Sequence, residues 1–127
     1  GDIMFIKDLA KCPAFTALDN THLCELMHPS QDGVNIPYSI AFAEVMPGES
    51  SLSHRLKTSS EVYFILDGVG EMHIDEEQAQ VSPGQAIFIA PGSWQFIRNI
   101  GSADLRFLCI VYPKWHADDE ELREAGM

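Results

Sequence analysis

The fold is most legible in "PGESSLSHRLKTSSEVYFILDGVG", Pro47–Gly70. This stretch begins and ends in glycine-containing turns, and between them it holds His54 and then Glu61, which heads the apolar and aromatic run "EVYFIL". Residues two apart in a strand share a face. His54 and Leu56 therefore point the same way, and Glu61 shares its face with Tyr63 and Ile65 while Val62, Phe64 and Leu66 take the other.

On either side lie further short runs rich in β-branched and aromatic residues: "IPYSIAFAEVM", "EMHID", "QAIFIA", "WQFIRNI" and "LRFLCIVY". Pro47-Gly48, Asp67-Gly68, Pro83-Gly84, Pro91-Gly92 and Gly101 supply turn chemistry between them. No helical segment of useful length intervenes, which excludes parallel βαβ units and predicts an all-β, antiparallel sandwich or barrel. Ahead of it, "LDNTHLCELMHP" reads as a short helix, capped by Asp19 or Asn20, stopped by Pro29 and striped by Leu23, Leu26 and Met27. Residues 113–125, with an acidic first turn and Arg123 near the end, read as a second short helix. The expected organisation is one domain over 1–127, with a barrel at 35–112, an N-terminal extension at 1–34 and a C-terminal tail at 113–127.

The chain of 127 residues, 46% apolar and 21% charged, has the composition of a globular domain. Its net charge of -11, from 8 basic and 19 acidic residues, leaves too little basic surface to neutralise phosphates, so nucleic acid is not an expected partner. The same acidity argues against an anionic membrane surface, and no apolar run approaches the roughly 20 residues that span a bilayer. The acidic runs Asp75–Gln78 and Asp118–Glu124 read as a turn and a solvated helix face. Cys12, Cys24 and Cys109 are odd in number and form no CxxC, which suggests unpaired, apolar use in a reducing compartment. With no charged-then-apolar leader in view, the expected location is the cytoplasm.

The spacings resemble the cupin superfamily, in particular its small single-domain members. The first cupin motif is a glycine, five residues, His-x-His, three or four residues, a glutamate, six residues and a glycine; here Gly48, "ESSLS", His54-Arg55-Leu56, "KTSS", Glu61, "VYFILD" and Gly68 follow it, with Leu56 in place of the second histidine. The second motif is a glycine, five residues, Pro-x-Gly, two residues, a histidine, three residues and an asparagine; here it reads Gly84, "QAIFI", Ala90-Pro91-Gly92, "SW", Gln95, "FIR" and Asn99, with Ala90 replacing a proline and Gln95 a histidine. The resemblance covers about residues 35–112 and implies an antiparallel double-stranded β-helix, the jelly-roll or cupin barrel. It also implies that His54, Glu61 and Gln95 occupy metal-ligand positions, with zinc, nickel, manganese or iron as the divalent ion. Cupins use such an ion as a Lewis acid or oxygen-activating centre, which points to an oxygenase- or isomerase-type enzyme acting on a small molecule.

Two missing imidazoles must weaken that site. The alternative is a metal-free polar cluster in which Glu61 accepts from His54 and the Gln95 amide, within a barrel that binds a small, sugar-like molecule without catalysis. Tyr63 shares the Glu61 face and is the candidate substrate-pocket residue. The remaining histidines read as peripheral: His22 and His28 at the surface, His73 on a polar-out strand with Glu71 and Asp75, and His116 in the tail. Val62, Phe64, Leu66, Trp94 and Phe96 are expected on the outer face, where they would form a homodimer interface. No G-x-S-x-G nucleophile pattern occurs, and "GVGEMH" lacks the third glycine of a dinucleotide loop.

Overall fold

The structure, a computed structural model, describes residues 4–124. Its strands are β1 (Ala14–Thr16), β2 (His22–Met27), β3 (Ser39–Val45), β4 (His54–Leu56), β5 (Ser60–Asp67), β6 (Gly70–Ile74), β7 (Glu77–Val81), β8 (Ala86–Ile89), β9 (Gln95–Asn99), β10 (Leu105–Tyr112) and β11 (Glu120–Leu122). They form a six-stranded sheet in the order β1-β2-β3-β10-β5-β8, packed on a five-stranded sheet in the order β11-β4-β9-β6-β7. All the pairings are antiparallel, as the jelly-roll reading expects.

Alternation places the core. Along β5, Glu61, Tyr63 and Ile65 are buried, whereas Phe64 and Leu66 are exposed. β10 buries Leu105, Phe107, Cys109 and Val111 in the same way. The two inner faces meet in a cluster that includes Val45, Ile65, Met72, Ile97, Leu105 and Phe107. Asn99, which closes the second motif, is buried and fully occupied: its amide nitrogen donates to the carbonyls of Val45 and Ala103, and its side-chain oxygen accepts from Gly101 N. It ties three chain segments together at one end of the barrel.

The N-terminal segment differs from its expected form. Residues 22–27 are strand β2, not helix, because the open edge of β3 offers a ladder (His22↔Glu44 through Met27↔Ile40, with a register shift at Leu26) and six residues are too few for an autonomous helix. Asn20 sits in a turn at φ 73°, and Asp19 accepts from Thr21 N and Oγ1 instead of capping a helix. Pro29 starts a helix where it was expected to stop one. The single-turn α1 (Pro29–Asp32) has His28 as its N-cap, with Nδ1 accepting from Ser30 N, and ends at Gly33 in the left-handed region. His28 is accordingly buried, with Nε2 2.7 Å from Trp115 O, and is not a surface residue.

The tail is also extended. Ala117–Asp119 form one 3-10 turn and β11 then pairs with β4, while the end of the expected helix, at 125, lies outside the described residues. The carboxylate of Asp119 explains the change: it accepts from Thr58 N, Thr58 Oγ1 and Ser59 N, pinning the tail beside β4. Asp119 is thus buried, although it was expected on a solvated face. The expectation of three unpaired cysteines also fails, because Cys12 and Cys24 are joined by a disulfide and only Cys109 is free.

The outer apolar residues divide between the sheets. Ile40, Ile110, Val62 and Phe88 lie side by side on the six-stranded sheet, as do Phe42, Leu108 and Phe64. Trp94 and Phe96 do not join them. β9 belongs to the other sheet, where the Arg55 guanidinium lies 4.5 Å from the Trp94 ring and His73 stacks on Phe96 at 4.1 Å.

Gly68 turns β5 into β6 at φ 89°, and a Cβ there would lie 2.7 Å from Asp104 O. Gly48 has a similar φ of 79° but nothing within 4 Å of that position. In denaturant unfolding, Gly68→Ala is expected to cost at least about 2 kcal/mol and Gly48→Ala only about 1 kcal/mol. Equal losses would show that the close approach to Asp104 carries no weight.

Candidate functional site

β4 and β9 face each other at His54↔Gln95, and both side chains turn inward from adjacent strands. Glu61 arrives from β5 in the opposite sheet. The Gln95 amide nitrogen donates to Glu61 Oε1 at 2.9 Å, which brings two of the three expected residues into contact. No protein donor reaches Glu61 Oε2 among the described residues, although Glu61 is only 7% exposed. Gln95 Oε1, also buried, has no hydrogen-bond partner among the described residues.

His54 is close by but engaged elsewhere. Nδ1 donates to Leu52 O at 2.8 Å, leaving Nε2 3.4 Å from Asp19 Oδ2. Both face acceptors, so the second contact is attractive only when a proton lies between His54 and Asp19. Leu56, at the second-histidine position, is buried beside them.

His54, Asp19 and Glu61 border a cavity of about 280 Å³, with Gln95 and Leu56 outside its lining. His54, Glu61 and Tyr63 line it, together with Asp19, Glu25 and Glu120. Phe107 and Trp115 contribute aromatic wall, and Tyr63 packs on Phe107 with ring centroids 4.6 Å apart. Burial pushes the Glu61 carboxyl up to about 7, helped by Asp19 and Glu120 and opposed by His54 and the Gln95 hydrogen bond. Burial likewise raises Glu25 and Glu120 from their ordinary value, and raises the Tyr63 hydroxyl well above its own. A carboxyl that titrates near neutrality can exist in two hydrogen-bonded forms. Ionised, it accepts from Gln95; protonated, it can donate to the orphaned Gln95 oxygen after an amide flip.

The donor set fits a divalent ion poorly. Among the described residues, no group of three or more His, Cys, Asp or Glu side chains is disposed to hold a metal. Gln95 turns its nitrogen, not its oxygen, toward Glu61, and Asp19 faces the free nitrogen of His54.

Sequence reading missed Asp19, Glu25 and Glu120. Asp19 was read as a cap, Glu25 as part of a helix and Glu120 as solvated surface. Period-two parity would have found Glu25, which shares a face with Leu23 once residues 22–27 are read as strand. The positions of Asp19 and Glu120 depend on tertiary pairing and had no local signal.

Residues 41–111 match the family model "Cupin domain". The chain is a cupin. It is 37% identical over 115 residues to an uncharacterised protein of Methanocaldococcus jannaschii, a match spanning 90% of each. An oxalate-binding protein of Thermotoga maritima is 32% identical over 65 residues, covering 51% of this chain and 54% of that protein. The crystal structure of a predicted oxalate decarboxylase from Thermotoga maritima superposes with a TM-score of 0.76 at 21% identity, covering 86% of this cupin and 99% of that chain. That last likeness concerns the fold.

Between its unfolded value of 4.5 and its folded value of about 7, Glu61 holds its proton more tightly in the folded state, so this group's contribution to stability falls as pH rises through that window. Glu61→Gln keeps an acceptor for Gln95 and removes the titration. The difference between wild-type and variant stability is expected to grow by roughly 3 kcal/mol from buffer below pH 4.5 to buffer above pH 7, in the variant's favour. Parallel unfolding curves at every pH would refute the assignment.

Proposed function

We propose that this cupin binds a small organic molecule in its barrel, with the hydrogen-bonded pair Glu61 and Gln95 as anchor and His54 beside it on the wall, rather than the three acting as ligands of a resident metal. One observation carries the reading: Glu61, almost fully buried, lines the cavity with one oxygen held by Gln95 and the other without a protein donor. Such an oxygen is a ready acceptor for a guest, and the cavity volume of about 280 Å³ suits a small one. Tyr63 adds a hydroxyl that makes no hydrogen bond within the protein among the described residues, and aromatic rings supply the apolar wall. Because Glu61 exchanges its proton near neutrality, it is chemically able to donate a proton to a bound molecule or withdraw one, as an isomerisation requires.

A metal-dependent enzyme is the second reading, favoured by the shared inward facing of His54, Glu61 and Gln95. A zinc, nickel, manganese or iron ion would then have to draw His54 from Asp19 and reverse the Gln95 amide. We further propose that two copies pair through the outer face of the six-stranded sheet, where Val62, Phe64, Phe88 and Leu108 form an apolar surface. Light scattering tests this pairing, with a Phe64→Lys, Phe88→Lys variant expected to be monomeric and a monomeric wild type counting against it.

Elemental analysis of protein purified without a metal-affinity column separates the two readings of the site. The wild type is expected to carry far less than one ion per chain. Leu56→His with Gln95→His is expected to gain zinc or nickel affinity by at least about tenfold, because each added imidazole supplies a donor. A stoichiometric ion in the wild type that is lost in His54→Ala would overturn the metal-free anchor.

A further inference from the structure

We infer that the cavity selects a small organic cation, an amine or ammonium compound with an apolar body, and rejects dicarboxylates; this rests on the cavity being the binding site. Among the described residues four carboxyl groups line it: Asp19, Glu25, Glu61 and Glu120. Among the described residues no Lys or Arg does, and His54, the one basic side chain on the wall, is already turned to Asp19. An anionic guest would lose its hydration among these carboxyl groups, with no Lys or Arg on the described wall to offset its charge, a combination that low-dielectric surroundings make severe.

A cation meets the reverse. The unpartnered Glu61 Oε2 is an acceptor already held in place through Gln95, so an ammonium group there forms a charge-assisted hydrogen bond without reorganising the site. Trp115, Tyr63 and Phe107 line the same space, giving a cation aromatic neighbours and the rest of the guest an apolar surface. The net charge of -11 adds a long-range field of the same sense. The pocket chemistry thus points away from the oxalate named for the Thermotoga maritima relative.

Calorimetric titration of the full chain with three probes of matched shape tests this: 2-phenylethylamine, 2-phenylethanol and phenylacetate, with oxalate as a fourth, in mildly alkaline buffer. The amine is expected to bind at least about tenfold more tightly than the alcohol, with no binding of phenylacetate or oxalate. Glu61→Gln is expected to remove that preference, bringing the amine's affinity down to the alcohol's in the same variant. Glu120→Gln, at the tail's contribution to the wall, should weaken the amine less and serves if Glu61→Gln does not fold. Equal binding of amine and alcohol, or preferred binding of phenylacetate or oxalate, overturns the charge selection but leaves a binding cavity. Failure of every probe overturns both.

Discussion

A carboxyl group withdrawn from water must be given a partner or a proton, and Glu61 is arranged to have either. It is held in the barrel by the alternation of β5, and the Gln95 amide reaches it from the opposite sheet. That one hydrogen bond joins the two layers at the floor of the cavity. A histidine in place of Gln95 would offer Glu61 no amide oxygen with which to answer a proton. The glutamine does, so the departure from the usual ligand pattern is chemically coherent with a site that manages protons and hydrogen bonds.

The layers are further fastened at their margins. Asp119 collects three donors from Thr58 and Ser59, drawing β11 onto β4 and bringing Glu120 to the cavity. At the other terminus, the Cys12–Cys24 bond fixes the approach to β1, whose neighbours Ala17 and Leu18 form part of the wall. Closing a loop of this kind stabilises by roughly 2–3 kcal/mol on the chain-entropy account. The bond also removes the ground on which unpaired cysteines suggested a reducing compartment. No described helix is long and apolar enough to cross a membrane.

The barrel was legible because its signals are local. Alternation along the strands, as in "EVYFIL" and "WQFIRNI", with glycine at many of the turns, predicts which side chains enter the interior, and His54, Glu61, Tyr63 and Gln95 do so. The ends were not legible, because their conformation is set by distant edges. "HLCELM" has a helical stripe, but the ladder offered by β3 outweighs it; "DDEEL" looks solvated, but Asp119 finds the free N–H groups of Thr58 and Ser59. The divided outer face had the same origin: sequence parity says inside or outside, not which of two sheets a strand joins.

The cavity draws its walls from two sources. The barrel strands contribute His54, Glu61, Tyr63 and Phe107, whereas Phe15, Asp19 and Glu25 come from the leading segment and Trp115 and Glu120 from the trailing one, all five outside residues 41–111. A shared barrel therefore transmits a shape and a floor but not a full complement of charges. Two cupins with superimposable strands can admit guests of opposite sign if their flanking segments differ. For this architecture, what a pocket holds must be read from the ends of the chain as much as from its middle.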